Sequence, residues 1–278
     1  MIKIISDSST LYSVEEGKIK GIAINPLSVT INNESFKEYV DINPEEFIKK
    51  IKDGAMPVSS QPSIGQTINL YEEYKENEII NITLADGLSG TYSSACAAKE
   101  SIDNNENIHI VNSKTLCGCQ RYLVNKAVEL VEKGCSVDEI IKTIEELSAT
   151  TKSFLIPKDL EYLKRGGRLT PMAAKIGGLL KIVPVLMTNE NNDKLEKFAI
   201  KRTINSALDA IIKEFEKSNI NEEYKIYICH GDNMELAQKA KERIEVAFNN
   251  IEIEIYELSP VFITHGGPGA VAIQVIKK

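Results

Sequence analysis

The chain has 278 residues, 42% of them apolar and 26% charged, and carries a formal net charge of −7. That length and apolar content sustain a core large enough for one big domain or two modest ones. The acidic balance speaks against non-specific nucleic-acid binding, which depends on Lys and Arg neutralising phosphates, and no run of 18 apolar residues is present to span a bilayer.

The opening MIKIISDSST lacks a long apolar signal core and reads directly as a first strand, Ile2–Ile5, which predicts a cytoplasmic protein. Two short strand-like runs flank Asn25-Pro26. Asn43 and Pro44 suit the cap and first turn of a helix that runs to about Ile51 and stops near Gly54. A second helix is predicted over 63–76, a buried strand over 78–84, a helix from Ser89 onward and a strand over 107–112. Two helices follow, split by Gly134, the second capped by Ser136. Strands alternating with helices predict parallel βαβ units to about residue 150.

The second half reads differently. A strand over 152–156 leads into a short amphipathic helix, 158–164, and the break KRGGRLTP. A helix over 172–180, strands over 181–188 and 194–199, a helix over 203–217, a strand over 224–229, a helix over 233–248 and a strand over 251–257 follow. Asp232 reads as the N-cap of the helix after His230-Gly231. The tail THGGPGAVAIQVIKK returns to an apolar run. This pattern predicts an α+β domain on a mixed sheet. The five cysteines are odd in number and lie in a long chain, so they are expected as buried reduced thiols. Cys117-Gly118-Cys119 is the only close pair and has no His or Cys clustered nearby, so no metal is expected.

Four stretches carry chemistry. In TLADGLSGTYSSACAAKE an apolar run ends in Asp86-Gly87, and Ser89-Gly90-Thr91 opens a helix. Free N–H groups and aligned dipoles at a helix start attract anions, a nearby Ser donates an O–H, and Gly90 admits a ligand close to the backbone. Ser89 is also simply a good helix cap. PVSSQPS sets Ser59, Ser60 and Gln61 between two prolines, and THGGPGA puts His265 ahead of three glycines. YLKRGGRLT offers Lys164, Arg165 and Arg168 around two glycines, either as a solvated turn or as a basic element at a site; Gly166-Gly167 is a candidate hinge.

In this order, SDSS at Ser6–Ser9, NPLSVT, SSQPS, LSGTYSSA, YLKRGGRLT, LLKIVPVL, KRT and HGGPGA resemble the DegV family of bacterial fatty-acid-binding proteins over the whole chain. Two departures are visible. Ser59 stands where the family usually has Thr, which keeps a hydroxyl. Asp86-Gly87 stands where small or hydroxyl residues are more usual, and a carboxylate there has to point away from a bound anion.

The resemblance implies an α/β fold of two domains, here 1–152 with a mostly parallel sheet flanked by helices and 153–278 with a mixed sheet, and a lipid tunnel at and beside their junction. It implies a carrier of one long-chain fatty acid, not an enzyme, that presents the carboxylate to a partner fatty acid kinase for acyl-phosphate formation on the route to phospholipid. Transient contact with a membrane surface is expected; nucleic acid and cofactors are not. Carried onto this chain, the carboxylate contacts are Ser59, Ser60, Ser89, Gly90, Thr91 and His265. Arg168, Ile176, Leu179, Leu180, Gly266 and Gly267 line or gate the tunnel, and Lys201 and Arg202 form a docking point for the kinase.

The residues agree chemically. Hydroxyls and one imidazole offset the desolvation of a carboxylate without the grip of a fixed ion pair, and a bound carboxylate favours the imidazolium form of His265. The segment AAKIGGLLKIVPVLM, 173–187, reads as an apolar wall or as plain core. The alternative function is a serine/histidine hydrolase acting on a small acyl substrate. Residues 87–91 read Gly-Leu-Ser-Gly-Thr and not the G-x-S-x-G elbow, no acid is placed to orient His265, and there is no Walker A sequence.

Overall fold

The N-terminal half builds from β1 (Ile2–Asp7), a 3-10 turn (Ser8–Thr10), α1 (Val14–Ile19), β2 (Ile22–Asn25), β3 (Ser28–Ile31), β4 (Glu34–Lys37), α2 (Pro44–Ile51), β5 (Val58–Ser60), α3 (Ile64–Glu73), β6 (Glu78–Thr83), α4 (Thr91–Glu100), β7 (Ile108–Asn112), α5 (Cys117–Glu132) and α6 (Val137–Ser148). The C-terminal half adds β8 (Lys152–Ile156), α7 (Leu160–Gly166), α8 (Pro171–Ala174), β9 (Val183–Thr188), β10 (Leu195–Lys201), α9 (Ile204–Lys217), β11 (Tyr224–His230), α10 (Met234–Ala247), β12 (Glu252–Glu257), α11 (Pro260–Gly266) and β13 (Val271–Lys277). The computed structural model describes residues 1–176 and 182–278. They divide into two units: Met1–Ala149 with Ser259–Val261, and Thr150–Leu258 with Phe262–Lys278.

In the first unit a four-stranded sheet runs β2-β1-β6-β7, parallel throughout. β1 and β6 are central, and the buried run Ile79–Thr83 of β6 is what a strand covered on both faces requires. Ile5, Ile79, Tyr71, Ala98 and Ile108 form one of its apolar clusters. The helix starts are written locally. Asn43 and Ser136 each accept from the N3 backbone while Glu46 and Glu139 reach back, completing capping boxes. Ser13 and Glu16 do the same for α1, an element the sequence reading did not anticipate although its S-x-x-E signature is present. A separate antiparallel sheet, β4-β3-β5, was also not anticipated; it pairs Ser28 with Ser60 and Val29 with Ser59.

In the second unit six strands run β10-β9-β8-β13-β11-β12. Only β11 and β12 are parallel, so the sheet is mixed, as expected. α9 buries Ala207, Leu208, Ile211, Ile212 and Phe215, one stripe at helical spacing, against a cluster that includes Phe154 and Ile273. Three details differ from the sequence reading. The N-cap of α10 is Asn233, whose side chain accepts from Leu236 N, and not Asp232, which sits at φ 56. The tail contains α11 before its strand. The helix expected over 172–180 is seen as α8, ending at Ala174, and its last residues lie outside the described ones.

Candidate functional site

In the first unit β6 delivers the chain into a loop that ends at α4. Gly87 takes φ 86, a left-handed conformation that suits glycine. The N-cap of α4 is Gly90, and no side chain caps it. Ser89 is therefore not the helix cap. Its hydroxyl lies 2.9 Å from that of Thr91 and accepts weakly from Thr91 N at 3.3 Å. Ser89 is half-buried and Thr91 is buried. Asp86 is half-buried, and its carboxylate receives only a long 3.5 Å contact from the Ser93 hydroxyl.

The serine-rich turn 57–63 meets this loop. A Cβ on Gly90 would stand 3.1 Å from Gln61 Nε2, so the Gln61 amide lies against the Gly90 backbone. Ser94 Oγ donates to Pro62 O at 3.2 Å. Ser60, Gln61, Pro62, Ser63, Gly90 and Ser93 line part of one open cleft of about 480 Å³. Two of the predicted residues, Ser60 and Gly90, thus share a cleft. Ser59 is half-buried on β5 with its Cα opposite Val29. Gln61, a neighbour of Gly90, was missing from the predicted set. Its signal was a long polar residue held between two prolines beside two serines.

In the second unit α7 is closed by Gly167, which adopts φ 68 as a left-handed cap. Thr170 N donates to Leu195 O and Leu195 N donates to Arg168 O, so KRGGRLT is tied to β10 and is not a free solvated turn. The Arg168 guanidinium folds back to donate to Gly166 O. His265, at the end of α11, packs on the same turn: a Cβ on Gly166 would stand 2.5 Å from His265 Nδ1. Gly267, at φ 77, is equally confined, with Tyr162 Cδ2 2.8 Å from where a Cβ would be. Burial, and then the Arg168 charge, push His265 down to about 4, so the ligand-free imidazole is neutral at physiological pH.

Ile176 is buried with Leu163, Leu169, Ala173 and Leu186. Leu179 and Leu180 lie outside the described residues. Gly266 is buried. Lys201 closes the edge strand β10, exposed Arg202 follows it, and Thr203 caps α9 through a capping box. Cys117, Cys119 and Cys229 are buried thiols. Among the described residues no group of three or more His, Cys, Asp or Glu is arranged to hold a metal, and no helix is long and apolar enough to cross a membrane.

The profile described as "Uncharacterised protein, DegV family" matches residues 1–278. The chain belongs to the DegV family. A DegV domain-containing protein of Staphylococcus aureus (strain N315) is 35% identical over 278 residues, covering 99% of this chain and 98% of its own. The crystal structure of DegV, a fatty-acid-binding protein from Bacillus subtilis, superposes with a TM-score of 0.87 at 31% identity, over 100% of this chain and 99% of that one. A stearic-acid-binding protein from Eubacterium ventriosum matches with a TM-score of 0.89 at 25% identity, over 100% and 99%. The parallel sheet and the mixed sheet of this chain are thus the DegV fold.

Proposed function

We propose that the chain binds one long-chain fatty acid and presents its carboxylate to a partner kinase, which forms the acyl phosphate; the DegV-family chain is the carrier and not the catalyst. The observation that supports the binding step is the full-length likeness, at 31% identity, to the fatty-acid-binding DegV of Bacillus subtilis. A tail of about 15 methylenes, at about 0.8 kcal/mol per buried CH₂, gains on the order of 12 kcal/mol before ordering costs. The head group cannot match that and needs only enough hydrogen bonds to leave water.

The proposed head-group contacts are the hydroxyls of Ser59, Ser60, Ser89 and Thr91, the backbone at Gly90, and the ring of His265. A neutral His265 donates one N–H to a carboxylate oxygen, and Arg168 beside it adds positive potential without a fixed bidentate grip. Such a set holds the acid yet leaves an oxygen free to attack a phosphoryl group. Arg168, Ile176, Leu179, Leu180, Gly266 and Gly267 are proposed for the wall and gate of the tail site. Lys201 and Arg202, basic residues ahead of a helix start where cations are unfavourable, are proposed as the kinase contact, and brief contact with a membrane surface as the route of lipid exchange. Cytoplasmic location follows from the same reading.

The test is to purify the protein from cells, denature it, extract with solvent and identify acyl chains by mass spectrometry. One acyl chain per polypeptide is expected. A solvent extract free of acyl chains, together with a delipidated protein that takes up no oleate, defeats the carrier reading.

A further inference from the structure

The opening SDSS stretch has no part in the contacts proposed above, yet it contains one of two deeply buried carboxylates among the described residues. Asp7 is 2% exposed and Glu38 is 0% exposed. No cation pairs with either among the described residues. What they hold instead is backbone and neutral side chains, among them the Ser9 hydroxyl and the Gln120 amide on Asp7. Asp7 Oδ1 accepts from Ser9 N at 3.0 Å and closes the 3-10 turn, while Oδ2 accepts from Leu84 N at 2.8 Å. Glu38, just beyond β4, accepts from the Ser8 hydroxyl on one oxygen and from Val261 N at 3.0 Å on the other. The Ser8 oxygen accepts from Leu27 N at 2.9 Å, and Glu38 N donates to Leu27 O at 3.0 Å, so Glu38 is itself held at both ends.

These two N–H groups are not ordinary positions. Leu84 begins the loop that carries Ser89, and Val261 lies in the first turn of α11, whose last turn carries His265. We propose that Asp7 and Glu38 are positioning residues for the fatty-acid head group: through Leu84 N–H and Val261 N–H they set the backbone that presents Ser89 and His265. This rests on the reading of Ser89 and His265 as head-group contacts.

The positioning is sensitive to protons. Burial pushes the Glu38 carboxyl up to about 7, with Asp7 adding to the shift, and burial pushes Asp7 up as well. The other titratable groups around Glu38 do not supply a counter-charge. Tyr39 is pushed up by burial and by Glu38; Glu16 and Cys117 push it further, and Arg121 opposes them. The Arg121 guanidinium donates to Leu11 O at 2.7 Å and stacks 3.5 Å from the Tyr12 ring centre. A protonated Glu38 offers Val261 N–H a carbonyl oxygen; an ionised one offers a stronger acceptor at the cost of a buried charge. The hold on α11 therefore changes near neutral pH.

The experiment uses the full chain, delipidated, as wild type and as Glu38→Gln, which keeps the shape and one acceptor. Oleate affinity is measured between about pH 5.5 and 8.5, the range that brackets the Glu38 transition. In parallel the Val261 and Leu84 amide shifts of the ligand-free ¹⁵N-labelled wild type are followed by NMR. The Val261 resonance is expected to titrate with a midpoint near about 7. The ratio of wild-type to Glu38→Gln affinity is expected to change about fivefold across the range, the size of a modest coupling; oleate's own ionisation is common to both and cancels. Wild-type oleate binding with a constant ratio overturns the positioning role, and so does a flat Val261 titration, a readout that needs no variant to fold. A wild type that takes up no oleate while Val261 still titrates defeats the carrier reading, and the positioning role of Glu38 for the head group falls with it.

Discussion

Gly166 has no side chain, and the structure shows what occupies the space instead. An added Cβ would sit 2.5 Å from His265 Nδ1, 3.3 Å from Cε1 and 3.6 Å from Cγ, so the imidazole rests directly on the glycine. The ring is held neutral there by burial and by Arg168, which in turn is folded onto Gly166 O. Gly166→Ala therefore moves the ring without removing it. If His265 contacts the carboxylate, this change and His265→Ala lower fatty-acid affinity together, by about tenfold each, the usual loss for one hydrogen bond to a charged group. Displacement of a fluorescent fatty acid measures both. Full affinity in Gly166→Ala, with the ring displaced, takes His265 out of the head-group site.

Helices in this chain differ in how their starts are closed: α4 and α5 have no side-chain cap, while α2 and α6 do. α2 and α6 are exposed packing elements with complete capping boxes. Their stability is local. Asn43→Ala removes the acceptor for Glu46 N at 2.9 Å and is expected to lower unfolding free energy by about 1 kcal/mol, read as a shift of the urea midpoint with unchanged slope. Oleate affinity should not move, because α2 contributes no residue to the proposed contacts. α4 is the contrast: Gly90 caps it with no side chain, the Gln61 amide lies against Gly90, and the Ser89 and Thr91 hydroxyls lie 2.9 Å from each other. A helix start closed by its own side chain is stabilised locally, whereas the α4 start leaves its hydroxyls to the head-group contacts proposed above.

For the molecule as a whole, two buried groups give opposing dependence on pH. His265 is pushed below its ordinary value of 6.5, to about 4, so the unfolded chain takes up its proton first. Its contribution to stability is complete above about 6.5 and is lost as pH falls through about 4. Glu38 is raised from 4.5 to about 7, so the folded chain keeps its proton longer. That contribution is complete below about 4.5 and is lost as pH rises through about 7. Each is worth on the order of 3 kcal/mol across its window. Between about 4.5 and 6.5 they offset one another. Relative to wild type, His265→Ala should lose ground as pH rises over that interval, and Glu38→Gln should gain. Urea midpoints taken at each pH test this, and curves parallel to wild type for both variants would show that neither group is shifted.

Much of this was legible along the chain, because its signals are local. Asn43 with Glu46, Ser63, and Ser136 with Glu139 mark helix starts within four residues, and alternating strands and helices mark the parallel first sheet within a window. The ordered motifs from SDSS to HGGPGA then identify the DegV family with no structure at all. Where windows failed, tertiary packing decided against local propensity. Pro260–Gly266 forms a helix although Val261, Ile263 and Thr264 favour strands and glycines follow, so packing overrode propensity. Only the tertiary structure could put Gln61 against Gly90, seat His265 on Gly166, pair β3 with β5, or join Glu38 to Val261 across 223 residues of chain. Caps and periodicity depend on neighbours a turn away, whereas these contacts depend on which buried surfaces meet after the chain has folded. No window of sequence carries that information.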